Sequence, residues 1–162
     1  LYLVRSSWEI FKVVTSFTIA HSLTLALSAF ELVQLSSAPV EAVIAGSIVL
    51  LAYENLQKSG SVSKAFPVLV AFGFGLLHGL GFAGAVAEIG LPEESQLIAL
   101  LLFNIGIELG QLVIIAVVLV LLMVIRLKFM RLLYEAPIYL TGGIASFWFV
   151  QRSWQIFAPA IG

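Results

Sequence analysis

Cysteine and aspartate are both absent from the 162-residue sequence, methionine occurs only twice, and just 10% of the residues are charged. Without cysteine there is no disulfide, no thiolate metal centre and no thiol catalysis. The scarcity of charge, against roughly 25% in an ordinary soluble domain, excludes a water-soluble globule. The formal net charge of -1 comes without acidic or basic runs, so nucleic acid has no footprint. What remains is apolar: 61% hydrophobic residues and a mean hydropathy of +1.11. A span needs about 20 such residues, so the sequence describes an all-α, polytopic transmembrane helical bundle in a lipid bilayer.

Five apolar segments, at about 13–35, 39–57, 66–89, 96–125 and 137–157, predict five visible helices in a single transmembrane domain over residues 1–162. Pro39, Pro92 and Pro137 stand at or just ahead of helix starts, where a missing N–H costs nothing. Leu112 to Ile125 is unbroken apolar sequence, so a barrel strand of period two is excluded. Leu1 stands where an initiator Met is expected, and a truncated N-terminus with six helices in the full-length protein is the expectation. Basic residues divide unevenly: Arg5, Lys12, Lys58, Lys64, Arg126, Lys128 and Arg131 on one side, Arg152 alone on the other. The positive side belongs in the cytoplasm, which puts loops 57–65 and 126–135 inside and Glu93–Glu94 outside.

Few polar residues fall within the spans, and each costs about 2.5–3.5 kcal/mol at mid-bilayer if ionisable and unpartnered. They are Thr18, His21, Ser22 and Thr24, then Glu54 and Asn55, then His78, then Asn104, Glu108 and Gln111. Counting about 1.5 Å per residue from each helix midpoint puts His21, His78 and Glu108 within roughly 5 Å of the centre, in one layer. Glu54 falls some 9 Å off centre by the same rise, where snorkelling is easier. Asn104, Glu108 and Gln111, at i, i+4 and i+7, form one polar stripe. Thr18 and Thr24, each three residues from His21, are expected to help orient its ring. Gly75/Gly79 and Gly106/Gly110 are GxxxG pairs that let helices approach closely.

Imidazole and carboxylate ligands without sulfur suit Ni(II), Co(II), Zn(II) or Cu(II) as substrate or ligand, and suit Cu(I) poorly. The set is short of a full octahedral shell, which lets an ion leave again. Three readings are open: a divalent-metal permease, a non-transporting membrane subunit with a structural polar or fixed metal site, and an intramembrane metal-dependent hydrolase. Buried neutral imidazoles and a protonated Glu108 bonded to Asn104 would serve the second. For the third, neither GxSxG nor HExxH occurs, so no catalytic residue is assigned and an enzyme is not expected.

The stretches Phe17-Thr18-Ile19-Ala20-His21-Ser22, Tyr53-Glu54-Asn55, Phe72-Gly73-Phe74-Gly75-Leu76-Leu77-His78-Gly79 and Phe103-Asn104-Ile105-Gly106-Ile107-Glu108-Leu109-Gly110-Gln111 resemble the HupE/UreJ family of hydrogenase and urease accessory membrane proteins. The resemblance covers about residues 13–115. It implies a nickel permease, or more broadly a transition-metal permease, of the bacterial inner membrane; a homo-oligomer or a larger membrane complex is left open by the sequence. Carried over by position, His21, Glu54, Asn55, His78, Asn104, Glu108 and Gln111 are the family-type polar residues. The family usually has a preceding helix with a glycine–aspartate–histidine motif, and nothing in this sequence matches it. His21 precedes Glu54 by 33 residues and His78 precedes Glu108 by 30, an echo of a parallel repeat about an axis along the membrane normal.

Overall fold

A computed structural model describes residues 6–33, 35–57, 60–89, 95–124 and 130–161. These form helices α1 (Ser7–Ala29), α2 (Ser37–Leu56), the single turn α3 (Val62–Ala65), α4 (Pro67–Ile89), α5 (Gln96–Val124) and α6 (Met130–Ile161), with no strand among the described residues. The expected five long helices are present, and α3 is an addition. The Glu93–Glu94 loop, Pro92, Arg5, Lys58, Arg126 and Lys128 lie outside the described residues. Among the described residues three helices are long and apolar enough to cross a membrane, over Trp8–Ala29, Ser37–Leu56 and Leu97–Leu121, and α4 is apolar over Pro67–Phe82.

The helix ends follow local chemistry. Ser6 caps α1 by accepting the Glu9 N–H at 3.2 Å, six residues before the expected start. At the other end Glu31 takes a left-handed conformation (φ 59°), and the Leu32 and Val33 N–H groups turn back to the Leu27 carbonyl. That capping turn stops the helix although the sequence stays apolar beyond it. Pro67 opens α4, where its lack of an N–H is harmless. Pro137 differs from expectation: α6 starts at Met130, so this proline lies within the helix, and Thr141 donates to its carbonyl at 2.7 Å.

The packing is that of a chain whose solvent is lipid. Among the described residues half of the ten buried apolar ones are alanine (Ala20, Ala42, Ala45, Ala71 and Ala145), while large residues such as Leu97, Leu101, Leu109 and Phe147 point outward. Small residues let backbones meet, and van der Waals contact then holds helices that the hydrophobic effect does not. Along the closest seam, α1 against α4, Ser16 donates to the Val68 carbonyl at 3.0 Å and Thr24 to the Leu76 carbonyl at 2.8 Å. Both bonds join residues 52 apart, so the two helices run parallel. Gly75 and Gly79 make the seam possible, since a β-carbon at either would strike α1 backbone. Helix α2 packs on α6, where Gly46 faces Phe149 and Gly142 faces Ala52. Further long-helix contacts join α1 with α5 and α2 with α4.

The other GxxxG pair behaves differently. Among the described residues nothing lies within 4 Å of where a β-carbon would stand on Gly106 or Gly110, so these glycines bring no described helix close.

Candidate metal site

His21 is held where α1 meets α4. It is 2% exposed, and neither ring nitrogen has a hydrogen-bond partner. The expected help from the neighbouring threonines is not found: Thr18 donates to the Val14 carbonyl, and the single Thr24 hydroxyl hydrogen is directed to the Leu76 carbonyl at 2.8 Å, with the Ala20 and His21 carbonyls at 3.2 and 3.3 Å. In low-dielectric surroundings a hydroxyl satisfies itself on the nearest backbone oxygen, leaving the imidazole to its aromatic neighbours. Phe17 stacks on it at 5.9 Å between centroids, and Phe82 meets it edge-on at 5.7 Å.

His78 reaches the same cluster from α4, its ring 5.3 Å from that of Phe17. Its Nδ1 lies 2.8 Å from the Phe74 carbonyl. A carbonyl only accepts, so Nδ1 carries the hydrogen and Nε2 keeps the lone pair a metal needs. Both histidines follow a phenylalanine by four residues, Phe17–His21 and Phe74–His78, a repeated spacing in the sequence that points to this paired arrangement.

Beside the pair lies a cavity of about 450 Å³ between α1, α2, α4 and α5. Its walls are apolar except for His78, Gln111 and Ser47, and the Ser47 hydroxyl is committed to the Ile44 carbonyl at 2.7 Å. The side-chain oxygen of Gln111 is buried without a partner, as are those of Asn104 and Asn55. In the two asparagines the amide nitrogen is already used, Asn104 on the Leu100 carbonyl and Asn55 on the Leu51 carbonyl, each at 2.8 Å. Each amide therefore offers an oxygen, the end suited to a cation.

Glu54 stands apart. At the end of α2 its carboxylate accepts the backbone N–H of Ser63 at 3.1 Å and the Ser63 hydroxyl, clasping α3. It lines a second cavity, of about 270 Å³, with Ser63. Glu108 is half-buried on α5 and lines neither cavity. Thus the structure brings together His21 and His78, and His78 with Gln111. Among the described residues no three His, Asp or Glu side chains are grouped to hold one ion.

Comparison with known proteins gives one result. The family model described as HupE / UreJ protein matches residues 1–152. No curated protein and no solved structure matches the chain.

Proposed function

The chain belongs to the HupE / UreJ family, and on that premise we propose that it is a permease of the bacterial inner membrane that carries a divalent transition-metal ion, nickel first among them, into the cytoplasm. One observation carries the reading: a histidine almost wholly removed from solvent whose two nitrogens have no partner, set against a second histidine on the edge of a cavity. A buried polar group left unpaired costs about 1–3 kcal/mol, so a helix seam gains nothing from His21 as packing. A transient guest that accepts nitrogen ligands compensates that cost.

His21, the Nε2 of His78 and the amide oxygens of Gln111 and Asn104 make a neutral borderline-to-hard donor set. Glu108 and Glu54 add carboxyl oxygens to the polar positions of the spans, with Asn55 beside the latter. The absence of a closed three-group cage among the described residues suits cargo rather than a fixed cofactor, because a permeating ion must also leave. The excess of Lys and Arg puts the α2–α4 connection in the cytoplasm. No ATP-binding motif occurs in the sequence, so the membrane potential or an ion gradient drives transport.

The test is nickel uptake by proteoliposomes containing wild type, His21→Ala or His78→Ala. Uptake by wild type that falls at least about tenfold in both variants, with the helical fold retained, is the expected result. Equal uptake by wild type and variants, or none by any, contradicts it.

A further inference from the structure

We infer that the cavity between α1, α2, α4 and α5 binds a neutral, lipophilic molecule that carries one hydroxyl or N–H donor, and that such a molecule, once seated, blocks His78. The block rests on the permease reading above; the binding does not. The volume of about 450 Å³ lies within the range of roughly 300–1,000 Å³ found for small-molecule sites, which are mostly apolar with a few placed polar groups. An ion would use the polar groups here but not the space. The close seams between long helices, among the described residues, join α4 to α1 and α2, α1 to α5, and α2 to α6. None joins α2 to α5, and the cavity lies between these two. A molecule dissolved in the bilayer therefore reaches it from the side.

The walls select the ligand. Phe17, Ile48, Leu51, Phe74 and Ile115 offer hydrocarbon and aromatic faces, against which a charged group would lose its hydration without return. Two polar groups are left to be met. The Nδ1 hydrogen of His78 is given to the Phe74 carbonyl, so the other ring nitrogen, Nε2, is an acceptor. The side-chain oxygen of Gln111 is a second acceptor, buried and without a partner. Ser47 supplies no donor, because its hydroxyl hydrogen lies on the Ile44 carbonyl. A pure hydrocarbon would leave both acceptors unpaired, whereas a hydroxyl or N–H donor satisfies one of them while its apolar body fills the rest. An aromatic body adds contact with Phe17, the ring that also stacks on His21 and meets His78 edge-on.

The probe is para-trifluoromethylbenzyl alcohol, and its isostere is para-trifluoromethylethylbenzene, with a methyl group in place of the hydroxyl. Both are followed by fluorine NMR against the protein in nanodiscs, and empty nanodiscs give the partition into lipid. Wild type is expected to bind the alcohol at least about tenfold more tightly than the isostere. Gln111→Leu, close in size and without the acceptor, is expected to reduce that preference to about twofold. Ile115→Phe, which adds bulk to the wall, is expected to weaken binding of both probes about tenfold. Equal binding of the two probes by wild type, or binding of both unchanged by Ile115→Phe, overturns the site. A preference kept in full by Gln111→Leu overturns the role of the donor. In proteoliposomes the alcohol is expected to slow nickel uptake several-fold, the isostere to leave it unchanged, and higher nickel to restore it. Binding of the alcohol with uptake unaffected overturns the block. Binding as expected with no nickel uptake by wild type would remove the permease and leave the site. Uptake with equal binding of the two probes would remove the site and leave the permease.

Discussion

Gly79 and Thr24 stand so close across the α1–α4 seam that no β-carbon fits between them. The Thr24 hydroxyl meanwhile reaches the Leu76 carbonyl at 2.8 Å, so the close approach and the interhelical bond depend on each other. Gly79→Ala is therefore expected to destabilise the protein by about 1–3 kcal/mol through forced separation of α1 and α4. Gly106→Ala, with open space around it, is expected to be neutral or slightly stabilising. Thermal unfolding in detergent followed by circular dichroism compares the two, and equal effects would contradict the assignment of the seam.

His21→Phe tests the role of the unpartnered imidazole. The ring keeps its place between Phe17 and Phe82 but loses two buried nitrogens. Stability is expected to stay equal or to rise by about 1 kcal/mol, with metal uptake lost. A loss of stability would show that the nitrogens find partners in the membrane-embedded protein.

Ser63→Ala removes the hydroxyl that Glu54 accepts and leaves the backbone bond. Hydrogen bonds to charged acceptors contribute about 1.5–3 kcal/mol, so α3 should open more often. Faster amide exchange at Lys64, Ala65 and Phe66, with exchange on α1 unchanged, is the expected pattern. Uniform acceleration would mean that the clasp supports the whole bundle.

The Arg152–Glu41 ion pair, at 2.6 Å, joins α6 to α2 with both side chains more than a third exposed. Such a pair contributes less than about 1 kcal/mol and weakens with salt. Arg152→Gln is expected to lower the melting temperature by a few degrees at most, and less so in high salt. A large, salt-independent drop would place the pair in a drier environment than its exposure indicates.

Which features were legible in the sequence follows from what local pattern encodes. Helical class comes from apolar runs, and the seam glycines come from the GxxxG spacing of Gly75 and Gly79. Gly106/Gly110 have the same spacing yet no neighbour, because a motif states what a helix permits and not which helix arrives. The Thr18 and Thr24 hydroxyls are expected to help orient the His21 ring and lie instead on backbone carbonyls, Thr18 on its i−4 oxygen and Thr24 most closely on Leu76 across the seam, an acceptor that spacing along one helix does not reveal. Glu54 is picked out by its depth and by the Tyr53-Glu54-Asn55 motif. Its partner Ser63 sits on a four-residue turn too short to leave a hydropathy signal.

The most direct measurement is potential-driven accumulation of nickel in proteoliposomes. A dication moving down 100 mV gains about 4.6 kcal/mol, enough for an accumulation of roughly 10³-fold. Wild type is expected to concentrate nickel when the interior is made negative, to approach that two-charge limit, and to lose the activity in His78→Ala. Internal nickel that never exceeds the external level at any potential would contradict the account.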